Sequence, residues 1–575
     1  MKKYILFMTM LAIFNVAAAE PANSTISKVG KEFLVNTQTL FDQTLAQSAK
    51  LNDGGFVSVW VDWADSINTK AADGSWSGIK VQVFSPTGAK IGTEITANTA
   101  NENWQQDPRV SVLQNGNFVV TWTDGWDYFS YADHPGSLGV GGAQGDKEAK
   151  AIKAQVFSSN GAPIGSEILV NTETRSSQTA EKITALNNGN FVIVWEDWSM
   201  SCVYDADGSL NRCGGGPGIK AQIFDAKGTK VGKELALTAD YNYSPQIAAL
   251  SDGGFVVAWQ DGHYSVEDIV AQAYTDSGIK VGQPMLVNTS GVGATFSTQN
   301  EHQVVGLSNG GFAVTWTDKN GDASGYGVKV QAFNDKGTKV GTEILANTTT
   351  QSNQYHPQIT ALKNGGFAVA WDDWSGDIDV QAQVFDNAGA KIGAEILVNT
   401  TKGGAQDSNK IAALEDGGFV VTWTEGWTDV KYQVFDATGV KLGSEALANT
   451  TTAGGQGGAQ PVGLVGSNFL IAWNDDLHGP SDGSGAAVKA QLFIKGKATS
   501  LEDCLFTWAE TNYSIYFAPA ATTQALPPYT YRYYKTTNAY LGVSAKDSHV
   551  YYVTPQGNML DAGTTSYWYG LSKCQ

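Results

Sequence analysis

One unit recurs eight times along this chain, and a fixed-period repeat limits a polypeptide to architectures that stack a single supersecondary module. A representative copy reads Glu395-Ile-Leu-Val-Asn-Thr, then Lys410-Ile-Ala-Ala-Leu, Gly418-Phe-Val-Val-Thr-Trp, Val430-Lys-Tyr-Gln-Val-Phe-Asp and Gly439-Val-Lys-Leu-Gly. Its tryptophans, Trp60, Trp122, Trp195, Trp259, Trp316, Trp371, Trp423 and Trp473, each stand four residues after a phenylalanine. Strand side chains alternate, so Phe and Trp share one face while Val or Ala fills the other, and a strand apolar on both faces is buried on both sides.

Asn-Gly or Asp-Gly before the Phe strand, as at Asn115-Gly116 and Asn188-Gly189, supplies a tight hairpin turn. A second hairpin follows the Gln-x-Phe strand at Asp225-Ala-Lys-Gly228 and Asp386-Asn-Ala-Gly389. Four antiparallel strands per unit make the blade of a β-propeller. The expected fold is therefore all-β: an eight-bladed β-propeller over residues 20–497, then a small disulfide-linked, β-rich C-terminal domain over 498–575. The last copy turns away at Lys495-Gly-Lys497 without a fourth strand, while Lys28–Asn36 reads as a fourth strand with no blade of its own. Those residues are predicted to complete the Trp473 blade and remove two exposed sheet edges.

The pattern Gly-Gly-Phe-Val-Val-x-Trp, then Val-x-Ala-Gln-x-Phe-Asp-x-x-Gly-x-Lys-Val-Gly, resembles the repeats of bacterial secreted and large cell-surface β-propeller proteins, including calcium-rich, adhesin-like ones. The tail from Cys504 to Cys574, with Tyr529-Thr-Tyr-Arg-Tyr-Tyr534 inside it, resembles a small Cys-bracketed module of secreted proteobacterial proteins. These resemblances imply architecture and an exported location more than an activity.

Residues 1–19 read as a secretory signal peptide: Lys2 and Lys3, an apolar run from Tyr4 to Val16, then Ala17-Ala-Ala19. The mature chain is expected in the periplasm, at the cell surface or outside the cell. No later stretch has the length of apolar sequence that a membrane helix needs, so no transmembrane segment is expected. A net charge of -19 argues against nucleic acid, whose affinity comes from Lys and Arg neutralising phosphates. The four cysteines fall into two local sets, Cys202 with Cys213 and Cys504 with Cys574, which in an exported chain read as two disulfides.

In a four-stranded blade the first-to-second and third-to-fourth turns share one face. Here they are short, so the longer and more variable connections lie on the other face, where binding usually resides. Trp63, Trp76, Trp104, Trp126, Tyr128, Trp198, Tyr264, Tyr355, His356, Trp374 and Trp427 all fall in or beside those connections and are the candidate ligand-binding residues. Each tryptophan could equally fold back over the end of its own blade. A carboxylate stands two residues after every core Trp, from Asp62 to Asp475, and the Gln of each third strand recurs as regularly, so both read as scaffold. Asp318, Asn320 and Asp322, and Asp205 with Asp207, place oxygen ligands at alternate positions, as calcium loops do, though plain Asp/Gly turns explain them too. Calcium is the one cofactor these fragments suggest.

The expected function is non-catalytic recognition of a glycan or an extracellular protein through the long-loop face, with calcium ordering those loops. A carbohydrate-active hydrolase or lyase using top-face carboxylates is the alternative, and a structural envelope or matrix protein a further one.

Overall fold

The computed structural model describes residues 26–564 other than 38–40, 64–76, 100–103, 126–149, 175, 205–209, 214–215, 240, 263–266, 290–298, 320, 323, 402, 453, 476–484, 497–522, 527–528, 535–538, 545, 547–548 and 555–557. Among these residues lie eight four-stranded antiparallel sheets, one two-stranded ribbon and one five-stranded sheet. Lys28–Ile494 forms one compact unit, and the chain from Lys495 onward belongs to another.

The first sheet has the strand order Gln43–Lys50, Phe56–Trp63, Ser77–Phe84 and Lys90–Thr96. The next six sheets follow the same sequential order. The last differs: Gln456–Gly463, Phe469–Asp475 and Ala487–Lys495 are completed by Ile26–Leu34, from the other end of the chain. First strands of successive sheets contact one another, and Gln456–Gly463 contacts Gln43–Lys50. The architecture is propeller-like.

Packing follows the alternation of the second strand. Phe56 stacks on Phe84 at 4.6 Å within its sheet. With Trp60 it packs against Leu464, Leu470, Ala472 and Val488 of the last sheet, while Val57, Val59 and Val61 pack against Phe118, Trp122 and Phe157 of the following one. Each inter-sheet layer is thus filled by large rings from one side and small β-branched residues from the other. Gly54 adopts φ +90° in the turn, and a Cβ on Gly55 would lie 2.3 Å from the Phe84 carbonyl, which is why this turn is written Gly-Gly. The third-strand glutamines are scaffold: Gln82 Nε2 donates to the Val83 and Ile91 carbonyls at 3.0 and 3.1 Å, spanning a bulge, and Gln491 does the same with Leu492 and Val29.

Every first strand also carries a bulge that nothing in the sequence announces. Pairing with the second strand slips by one residue between Thr44 and Gln47 and at the equivalent point in the other sheets. The third residue of each strand is left-handed: Leu45, Asp107, Ala180, Ser244, Glu301, His356, Ser408 and Gly458, with φ between 53° and 63°. Seven of these are not glycine, a conformation costing about 1–3 kcal/mol that the surrounding sheets must hold in place.

In the second unit, Thr523–Leu526, Tyr529–Tyr534, Ala539–Ser544, His549–Val553 and Met559–Thr564 form a five-stranded antiparallel meander. Leu541, Val543 and Val550 are buried in it. Cys504 and Cys574 lie outside the described residues.

Candidate functional site

The end of the sheets where second strands finish and first strands begin is built on a repeated polar lattice. In the Trp316 sheet, Gln299 Nε2 donates to Asp318 Oδ1 at 3.2 Å, and Lys329 Nζ lies 3.7 Å from Asp318 Oδ2 and 2.7 Å from Glu343 Oε1. Glu343 Oε2 in turn accepts from the Thr289 backbone N–H at 2.7 Å, tying the corner of the preceding sheet to this one. In the six sheets that set a lysine opposite the core Trp, the carboxylate two residues after that Trp therefore belongs to a hydrogen-bonded and ion-paired network, Lys80 pairing with Asp62 and Lys153, Lys220, Lys431 and Lys489 repeating the double pairing. Asp322 is likewise engaged, accepting from the backbone N–H groups of Ser324 and Gly325 and from Asn347 Nδ2. Among the described residues no group of three or more His, Cys, Asp or Glu is arranged to hold a metal ion. Asn320, Asp205 and Asp207 lie outside the described residues.

The Trp259 and Trp371 sheets depart from the lattice, with Val270 and Gln381 opposite the core Trp where the other six have lysine. Gln381 stands where the lysine should be, so Asp373 receives hydrogen bonds from Gln354 Nε2 (3.2 Å) and the Ser375 N–H (3.1 Å) but no cation, and burial pushes its carboxyl above the usual range. Above it stands an aromatic cluster. Trp374, 42% exposed, meets Tyr355 edge-on at 5.7 Å, and Tyr355 lies 5.1 Å from Tyr326.

His356 adjoins these rings at the left-handed bulge position. Its Nδ1 is 3.0 Å from Asp372 Oδ2 and its Nε2 3.3 Å from Glu301 Oε1, with half of the side chain in solvent. The backbone N–H of His356 donates to Glu301 Oε2 at 2.8 Å, and Asn409 Nδ2 donates to Asp372 Oδ1 at 2.7 Å, so three adjacent sheets fix the two carboxylates around the ring. The Asp372 hydrogen bond raises the His356 pKa, and the Glu301 charge adds to it against the opposing effect of burial. The imidazolium is therefore favoured, making His356 a cationic hydrogen-bond donor beside a wall of aromatic rings.

The other sequence-predicted residues are distributed round the same end. Trp63 donates Nε1–H to Thr44 Oγ1 at 2.7 Å and meets Trp104 edge-on at 5.9 Å. Trp198 donates to Thr179 Oγ1 at 3.3 Å and lies 6.3 Å from Tyr243. These three tryptophans fold back onto the sheet ends, whereas Trp427 is 67% exposed. Trp76, Trp126, Tyr128 and Tyr264 fall outside the described residues. Tyr326, Glu301 and Asp372 were not singled out in the sequence; lining up the copies column by column would have isolated Glu301 and Asp372 as charges at positions that most copies fill otherwise. At the opposite end, a cavity of about 840 Å³ opens between turns, lined in part by Lys50, Lys363, Glu415 and Asp416.

No protein-family model matches the chain, and no curated protein matches its sequence. Solved structures are similar to it at low identity. An ulvan lyase of polysaccharide lyase family PL25, bound to -[GlcA(1-4)Rha3S]-, matches with a TM-score of 0.41 at 11% identity over 74% of this chain and 98% of that one. The polysaccharide lyase Uly1 gives 0.39 at 10% identity over 80% and 93%. An alpha-L-arabinanase from Penicillium chrysogenum complexed with arabinobiose gives 0.33 at 15% identity over 54% and 92%. These activities are those proteins' own.

Proposed function

We propose that this chain is an exported, closed eight-bladed β-propeller that recognises a glycan at its loop-bearing end, with Trp374 and Tyr355 as the stacking platform. The observation that carries the reading is a half-exposed Trp374 set edge-on to Tyr355, with the ion-paired His356 beside them. Sugar rings stack their C–H faces on such platforms, while a charged donor at the edge orients hydroxyl or carboxylate groups. Closure is supported by Ile26–Leu34 pairing with Ala487–Lys495 and by Glu32, whose carboxylate accepts from Thr451 Oγ1 at 2.7 Å and lies 3.3 Å from Lys489 Nζ. The ribbon Cys202–Tyr204 and Leu210–Cys213 sets Cys202 opposite Cys213 in register, which suits a disulfide across it.

A second reading, carbohydrate-active catalysis, is favoured by His356 lying within hydrogen-bond reach of two carboxylates beside the platform, an arrangement able to deliver a proton to a leaving oxygen. One experiment addresses both. Glycan-array hits are titrated against the parent chain, Trp374→Ala and Tyr355→Ala, and bound oligosaccharide is followed for new chain ends. Recognition predicts a loss of about tenfold or more in affinity in each variant, with intact ligand recovered. Unchanged affinity overturns it; cleavage that disappears in His356→Gln replaces it with the enzymatic reading.

A further inference from the structure

The fifth residue of each first strand stands one pairing step from the bulge and opposite the residue preceding the core Trp, as Gln47 opposes Val59 and Lys410 opposes Thr422. In all eight sheets this position therefore sits at one level of the inner ring of strands. Its occupants are Gln47, Arg109, Lys182, Gln246, Gln303, Gln358, Lys410 and Gln460. Every one carries side-chain N–H donors, and none is acidic, in a chain with 56 Asp and Glu against 37 Lys and Arg. All eight are partly buried.

The three cations in this belt are treated differently from those of the outer lattice. Lys153, Lys220, Lys329, Lys431 and Lys489 each have two carboxylates within ion-pair distance. Among the described residues, Arg109, Lys182 and Lys410 are bridged to no carboxylate. Lys410 Nζ reaches only the Gln358 Oε1 beside it in the belt, at 3.4 Å, Lys182 Nζ only the Glu181 carbonyl at 3.4 Å, and Arg109 Nε is buried without a partner. Burial lowers the pKa of both lysines; the Arg109 charge lowers Lys182 further against the pull of Glu181, Glu196 and Asp107, and it reaches Lys410 too, from a sheet far away in sequence, behind the larger opposing effect of Asp372. Cations from separate sheets therefore act on one another, and the carboxylates nearest them, Glu181, Glu196, Asp107 and Asp372, feel their charge without bridging to them, which leaves their N–H donors open to an added anion.

We propose that this belt is an anion site: Arg109, Lys182 and Lys410, with the flanking glutamine amides, hold a multivalent oxyanion on the axis of the ring, either free sulfate or phosphate or the sulfate group of a sugar. The site rests on the closed ring of the reading above but not on the aromatic platform. Arg and Lys supply the charge, and the amides supply neutral donors to the remaining oxygens.

The test compares the full-length chain with a triple variant, Arg109→Gln, Lys182→Gln and Lys410→Gln. Gln is the residue the other five sheets already place there, and since Glu181 loses the charges of Arg109 and Lys182, folding of the variant is verified by cooperative melting in chloride. Melting temperature and calorimetric affinity are measured with sodium sulfate, sodium phosphate and, at matched ionic strength, sodium chloride, and a monosaccharide O-sulfate is titrated alongside. Sulfate or phosphate should raise the melting temperature of the parent well beyond chloride, and the triple variant, still melting cooperatively in chloride, should lose at least tenfold in affinity and the extra rise in melting temperature. Tighter binding of the sugar sulfate than of inorganic sulfate assigns the site to a glycan substituent, and the reverse to a free ion. Equal responses in parent and triple variant, or equal responses to sulfate and chloride, overturn the proposal. Failure of the ring itself is read separately, as a melting temperature unmoved by Glu32→Ala.

Discussion

The Trp195 and Trp371 sheets share a scaffold and diverge at one end. Each places a tryptophan three residues after the core Trp, Trp198 and Trp374, and each follows its core Trp with a carboxylate that accepts the bulge N–H of the next sheet: Glu196 from Ser244 at 2.7 Å, Asp372 from Ser408 at 3.2 Å. In the Trp195 sheet, Lys220 ion-pairs with Asp197 at 2.5 Å and Glu234 at 2.9 Å, and Trp198 closes onto Thr179. In the Trp371 sheet the lysine has become Gln381, the threonine Tyr355 and the bulge alanine His356, and Trp374 stands out against Tyr355. In the Trp195 sheet the lattice is complete and the tryptophan is drawn in as cover; in the Trp371 sheet the lysine is missing, and rings and an imidazolium face solvent above a buried Asp373. Two copies of one repeat thus keep the same strands and register while a few substitutions at one end change what faces solvent.

The sharpest way to break this contrast is to exchange the two residues. Lys220→Gln leaves Asp197 and Glu234 without their cation and should cost about 3 kcal/mol, read as a fall in the urea midpoint. Gln381→Lys gives Asp373 the partner it lacks and should be neutral or stabilise by up to about 1 kcal/mol. Equal costs at the two positions would mean that the lattice does not distinguish the sheets.

A smaller effect should separate the two tryptophans. Trp198→Ala removes a packed ring and its hydrogen bond to Thr179, and about 2 kcal/mol of stability should go with it. Trp374→Ala should cost under about 1 kcal/mol, since much of that ring is already in water. Thermal denaturation of both variants checks the pair, and a Trp374 cost as large as that of Trp198 would recast the platform as cover.

Much of this architecture was legible in the residues. The Phe-x-x-x-Trp spacing set the alternation of large and small residues between sheets, the unpaired Lys28–Asn36 segment pointed to a strand beside Ala487–Lys495, and the repetition of the carboxylate after each core Trp marked it as scaffold. The bulge was not legible, because Leu45, Asp107, Ala180 and His356 share no chemistry that favours a positive φ; the sheets on either side impose it. Nor was the convergence of Glu301 and Asp372 on His356, which depends on three sheets meeting at one corner. Trp198 and Trp374 occupy one repeat position, and what separates them is the neighbour at the second residue of the first strand, Thr179 or Tyr355. The donor belt lay in plain view as a column of Gln, Arg and Lys, but reading it needed the contacts that first strands make from sheet to sheet.

The smallest effect concerns two histidines at neighbouring bulges, and the comparison gives them opposite signs. His302, buried, is driven down to about 4 by desolvation, while Lys182 adds repulsion and the backbone groups of Ala258 and Ser244 approach without meeting hydrogen-bond geometry. A histidine neutral in the folded chain contributes stability that is present above the unfolded value near 6.5 and is lost as pH falls toward 4. His356 is raised instead, facing Asp372 and Glu301 on one side and the weaker opposing charge of Lys410 on the other. Its contribution is present below the unfolded value and fades as pH climbs through the folded one, and half exposure keeps it modest. Relative to the parent, His356→Gln should therefore be destabilised most near pH 5.5 and converge with it in alkaline buffer, whereas His302→Gln should gain on the parent as the pH is lowered below 6. Urea midpoints across that range, with the imidazole carbon shifts followed by NMR, decide it; a His356 ring titrating below 6.5 would remove the cation from beside Tyr355 and leave the platform without its charged donor.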